Sequence, residues 1–147
     1  MSVEEILVDD HLLLRILLDD RSADTGIGVA RISTTGLWYH RLCRALMNST
    51  VSGVLSRSLG SADPALGAST TRAVIELPET INLISLRELA WPIAQLLSDG
   101  VRLNLMSLEA LAAAEQLGAE ICLAIADENP QLIAAAQQRG IPTRLVA

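Results

Sequence analysis

The chain has 147 residues, half of them hydrophobic and 19% charged, with a formal net charge of −6. That is enough chain for one core, too apolar for intrinsic disorder, and too acidic to approach a phosphate backbone except through a local Arg cluster. All 11 basic residues are Arg, which excludes Schiff-base chemistry and a P-loop lysine, and a chain with no Phe and only Trp38, Tyr39 and Trp91 as aromatics argues against a base-stacking platform.

Glu4 and Glu5 stand where a signal peptide would carry basic residues, and no apolar run reaches membrane-spanning length. The expected location is the cytoplasm, with no membrane partner. Glu5 to Val8 reads as a short buried strand closed abruptly by Asp9, and His11 to Leu18 as a helix with leucines nearly all round. Asp19 to Gly28 is a polar loop, and Val29 to Ile32 a second strand. Thr34 or Thr35 can cap the next helix, where Trp38, Leu42, Ala45 and Leu46 share one face, the pattern of a core or a dimer contact. A helix over Val51 to Leu59 and a loop over Gly60 to Thr70 follow.

Ala73 to Leu77 and Ile81 to Ile84 read as strands separated by a turn. Ser85 with Glu88 forms a capping box for a helix running to Asp99, closed by Gly100 and interrupted by Pro92. Val101 to Met106 reads as a strand, with Ser107 as N-cap of an Ala-rich helix that Gly118 ends. EICLAIA, Glu120 to Ala126, is the clearest buried strand. Asn129 and Pro130 open a helix that Gly140 stops, and Ile141 to Val146 is the last strand. Strands alternating with helices predict one domain over residues 1–147, a three-layer α/β/α sandwich with a mostly parallel central sheet. Cys43 and Cys122 lie in apolar runs and read as reduced, buried thiols, while His11 and His40 are too few for a zinc site.

In such sheets ligands bind beyond the carboxyl ends of the strands. Asp9, Ser107 and Asp127 fall there. Carboxylates converging at strand ends, with no Cys/His cluster, are the ligands a hard cation such as Mg²⁺ prefers. The competing reading is that Asp9 and Asp127 cap helix starts.

ILVDDH followed by LLR resembles the opening strand and acidic pair of response-regulator receiver domains. That family also requires a central phospho-acceptor Asp and a late Lys. The stretch Asn48 to Ser61 has no Asp and the chain has no Lys, so phosphotransfer is rejected and only a degenerate receiver-like module remains.

VDDHLLLRIL also resembles the opening of PIN domains, the Mg²⁺-dependent ribonuclease fold of VapC-type toxins. SLEALAAAEQLGAEICLAIADENPQLIAAAQQRGIPTRLV resembles that family's closing half, and TTGLWYHRLCRAL its Glu-bearing helix. The likeness covers about half the chain and leaves the central segment, 48–84, unplaced. It implies Asp9 and Asp127 as catalytic and metal-holding carboxylates, with Glu109 as a further candidate ligand and Mg²⁺ or Mn²⁺ as cofactor if the protein is active. Two positions depart from the acidic pattern: Arg41 stands where the helix Glu belongs and Ser107 where an Asp opens the Ala-rich helix. Two carboxylates beside an Arg can be neutralised without metal. We therefore expect Arg41 to pair with Asp9 or Asp127 in the space of the cation. The leading expectation is a PIN-like domain with a degraded metal site, weak or inactive as a nuclease. It would act through protein contacts, as a homodimer or with an antitoxin-like partner. The alternative is an active metal-dependent endoribonuclease, for which RNA is the substrate and Asp10 a possible extra ligand.

Overall fold

A computed structural model describes residues 4–18, 30–48 and 71–147. The expected loop at 19–28, helix at 51–59 and loop at 60–70 lie outside the described residues. Strand β1 (Glu5–Val8) is an apolar run stopped by Asp9, which caps α1 (Asp10–Leu17) by accepting from the Leu12 amide at 2.9 Å. Strand β2 (Arg31–Thr35) runs three residues further than expected, up to the residue that caps α2 (Gly36–Met47). The Thr35 hydroxyl accepts from the Trp38 amide at 3.3 Å.

Strand β3 (Ile81–Ile84) leads into α3 (Leu86–Ser98), capped by Ser85 and carrying Pro92 in its interior. Helix α4 (Leu105–Leu117) ends at Gly118, whose φ of 61° is the left-handed conformation that favours glycine. Strand β4 (Glu120–Ala124), a single 3₁₀ turn (Ile125–Asp127), α5 (Pro130–Gln138) and β5 (Thr143–Val146) complete the chain. Asn129 caps α5 as expected, accepting from the Leu132 amide at 3.1 Å.

Two expected strands are absent. Residues 71–75 are helical and Glu76 begins a turn, so the Ala73 to Leu77 strand is corrected. The short run AVIEL mixes β-branched residues with good helix formers, and its length cannot separate the two. Residues 101–104 are irregular and α4 begins at Leu105, so the Val101 to Met106 strand is corrected as well. Only one residue of VRLNLM is β-branched. Asn104, three positions before Ser107, takes the N-cap by accepting from the Ser107 amide at 2.8 Å, and Ser107 sits inside the first turn.

The sheet has order β3-β2-β1-β4-β5 and every pairing is parallel, with Leu7 beside Ser33 on one side and Ile121 on the other. The pleat divides the core in two. Leu7, Ile84, Ile121 and Leu123 face α3, α4 and α5. Ile6, Val8, Cys122 and Ala124 face α1 and Leu42 of α2. This is the expected three-layer α/β/α sandwich. Helix α4 packs against both the sheet and α3, and it is buried from Ser107 to Ala114. Trp38 and Leu42 are buried, so that face of α2 belongs to the core and not to a dimer contact. Both cysteines are free, and burial, with Glu120 alongside, pushes the Cys122 thiol up to about 12. Among the described residues no helix is long and apolar enough to cross a membrane.

Candidate functional site

The strand order places the site. From β1 the sheet grows to β2 and β3 on one side and to β4 and β5 on the other, so the crevice of a doubly wound sheet opens between the carboxyl ends of β1 and β4. The same order separates this chain from receiver-like doubly wound sheets, whose order is 2-1-3-4-5.

Asp9 leaves β1 at that crevice, but its carboxylate turns inward. It is fully buried, with Oδ1 accepting from the Leu12 amide at 2.9 Å and Oδ2 from the Ala124 amide at 3.0 Å. Its own amide donates to the Cys122 carbonyl at 3.3 Å. Asp9 thus staples β1, α1 and β4 together. Burial raises its pKa above the usual carboxylate value and the neighbouring Asp10 charge adds to this, while the two amides act in the opposite direction.

Asp10, the first residue of α1, is the carboxylate that faces the site. Arg41 of α2 forks onto it, Nε to Oδ2 at 2.7 Å and Nη2 to Oδ1 at 2.5 Å. The same Nη2 donates to Asp127 Oδ2. Asp10 is fully buried, whereas Arg41 and Asp127 each keep a little over a third of their side-chain surface. Burial works against the Arg41 charge, but the two carboxylates outweigh it and hold the guanidinium above its already high pKa. The expected ion pair to Asp127 is present. Its other partner is Asp10 in place of Asp9, because the N-cap geometry turns the Asp9 side chain back over the helix start and leaves the next residue to face α2.

The 3₁₀ turn brings Asp127 within reach. Strand β4 stops at Ala124, two residues short of the expected end, and Ile125–Asp127 spans the gap to Arg41. Glu109, a candidate ligand from the sequence, is buried elsewhere. Its Oε1 accepts from the Leu37 amide at 2.8 Å, so with Thr35 it closes the amino end of α2. That anchor lies one turn before Arg41 on the same helix. Ser107 is buried, and its hydroxyl accepts from Asn129 Nδ2 at 2.9 Å, tying the start of α4 to the start of α5.

Beside these groups lies a cleft of about 450 Å³, whose walls include Trp38, Arg41, Ser107, Asp127, Glu128 and Asn129. One oxygen each from Asp10 and Asp127 and one nitrogen of His11 lie within 4.8 Å of one another. A cation taking them would displace the guanidinium or stand against it. The residues present therefore fit an arginine-neutralised cluster and not a filled divalent site. Sequence reasoning named Asp10 only as a possible extra ligand and Asn129 only as a helix cap, and missed that Asp10 pairs with Arg41 and that Asn129 holds Ser107. The signal for Asp10 was its place at the start of a helix whose next turn, Leu12 to Leu14, is buried: a charged side chain there needs an internal partner.

Arg31 pairs with Glu5 at 3.2 Å, and Arg44 and His40 are exposed.

No protein-family model matches the chain. No curated protein matches it either. Among solved structures it is similar to the crystal structure of PAE2754 from Pyrobaculum aerophilum, at 18% identity over 97% of this chain and 92% of that one, with a TM-score of 0.54. At that identity the likeness speaks for the fold alone.

Proposed function

We propose that this chain is a PIN-like domain in which Arg41 stands in place of the divalent cation, so that it acts through protein contacts and not as a metal-dependent ribonuclease. The observation that carries this reading is the Arg41 guanidinium shared between Asp10 and Asp127. One fixed positive charge already offsets two carboxylates, and Coulomb repulsion of a dication within ~4 Å of a guanidinium is on the order of several kcal/mol. Asp9 is fully buried with both oxygens accepting backbone amides, so its carboxylate is not presented to the cleft. Glu109 is committed to α2. Interaction partners under this reading are a second copy of the chain or an antitoxin-like protein.

The alternative reading, an RNA-cleaving enzyme using Mg²⁺ or Mn²⁺, draws on the Asp10, His11 and Asp127 group and the adjoining cleft. Thermal unfolding in millimolar Mg²⁺ or Mn²⁺ separates the two, since a metal that binds only the folded state raises its stability. The wild type should show no shift, and Arg41→Ala, with the carboxylates released, should gain one. A shift in the wild type that Asp127→Asn abolishes, or RNA cleavage lost in the same variant, would overturn the proposal.

A further inference from the structure

Residues 125–128, which join β4 to α5, are pinned at both ends and lightly held between. At one end the buried Ala124 amide donates to Asp9 Oδ2 at 3.0 Å. At the other, Asn129 caps α5 and donates from Nδ2 to Ser107 Oγ at 2.9 Å. No residue of the 3₁₀ turn is buried. Ile125, in a run whose composition suits a buried strand, is 51% exposed, and Ala126 and Glu128 are exposed as well. The turn's own backbone bond, from the Glu128 amide to the Ile125 carbonyl, is 3.3 Å long. Such a segment has neither apolar burial nor a buried polar network to hold it.

Among the described residues, one ion pair ties this segment to the rest of the fold, between Asp127 Oδ2 and Arg41 Nη2. His11 has a nitrogen within 4.8 Å of an Asp127 oxygen and adds no ion pair. The two sides of the pair are unequal. Arg41 is fixed by its fork onto buried Asp10 and by its place in α2. Asp127 rides on the turn and keeps 38% of its side-chain surface exposed. Breaking the pair therefore frees the turn and leaves Arg41 where it is. Asp127 and Glu128 form part of the cleft wall, and so does Trp38, one turn before Arg41 on α2 and only 4% exposed. Outward movement of the turn thus widens the cleft and brings solvent to the indole.

We propose that residues 125–128 are a strap along the cleft, latched by Asp127 onto Arg41, and that release of this latch opens the cleft to solvent. The strap uses the ion pair on which the proposed function rests, but not the exclusion of metal. Every measurement below is made with a chelator present, so the two readings fail separately. A part-exposed ion pair is weak, so both positions of the strap are populated and modest changes shift the balance.

Acrylamide quenching of Trp38 fluorescence measures the opening, in the full chain carrying Trp91→Phe to remove the exposed indole. At low salt the quenching of this parent should be weak. Asp127→Asn should raise the quenching constant about threefold, within what loss of one part-exposed pair can shift, with circular dichroism unchanged. Glu128→Gln removes a neighbouring wall charge that the latch does not use, and should leave quenching weak. Raising salt to about 1 M, where screening acts over about 3 Å, should increase quenching in the parent and not in Asp127→Asn. A folded Asp127→Asn chain quenched no more than the parent sinks the proposal. So does an equal response of both chains to salt, or an equal rise in Glu128→Gln. If Asp127→Asn does not fold, the parent's salt response decides: a rise supports the latch and no rise overturns it.

Discussion

Four carboxylates stand near the carboxyl ends of β1, β2 and β4, in two regions of opposite chemistry. Asp9 and Glu109 are buried and serve backbone amides, holding α1, β4 and α2 in place. Asp10 and Asp127 serve a side chain, Arg41, at the edge of the cleft. A carboxylate bonded to buried amides cannot turn toward a ligand without leaving donors unsatisfied. One held by an arginine is a single substitution away from release. The first region is therefore framework, and the second is where chemistry can change.

The sharpest way to break this division is Asp9→Ala. Two buried amides, at Leu12 and Ala124, lose their acceptor together with a helix cap, and stability measured by urea unfolding should fall by about 4 kcal/mol. A loss below about 1 kcal/mol would place Asp9 with the exchangeable group. Arg41→Ala should cost less, about 2 to 3 kcal/mol, because Arg41 and Asp127 keep some solvent while Asp10 is left buried and unpaired. Adding Asp10→Asn to that variant should recover much of the loss. If the two substitutions were simply additive, Arg41 would not be the partner that Asp10 depends on.

The smallest effect is in pH. The Asp9 pKa is raised in the folded state, so its contribution is fully present below the ordinary carboxylate range and is lost as pH climbs through the raised value. Asp9→Asn removes the titration. The stability advantage of wild type over that variant should therefore narrow as pH rises from the acid side. An advantage that widens over the same range would mean that the Leu12 and Ala124 amides outweigh burial.

Much of the fold was legible because its signals are local. The run closed by Asp9, the Asn129–Pro130 start of α5 and the glycines after α4 and α5 each carry their own physical cause. The failures came where a short apolar run fits two periods. VRLNLM and AVIEL gave no length by which to choose helix over strand, and the competition between Asn104 and Ser107 for one cap moved α4 by three residues. At the site, charge balance identified Arg41 and Asp127 as partners. Which member of the Asp9–Asp10 pair would join them depends on the direction of a side chain at a helix start. Both residues offer the same carboxylate, and only the meeting of α1 with β4 assigns one to the amides and the other to the arginine.

The position of β1 also constrains how the chain comes to be folded. Its neighbours are β2 and β4, and the second pairing joins Ile6 to Glu120. The earliest of the described strands thus waits for the fourth, 115 residues on from Asp9 at the Ala124 amide, before both its edges are bonded. Asp9 waits with it, since the Ala124 amide lies in the same late strand. Closing so long a loop makes the pairing slow relative to helix formation. Until then one edge of an apolar strand stays open, and the carboxylate at its end keeps the water it will later give up.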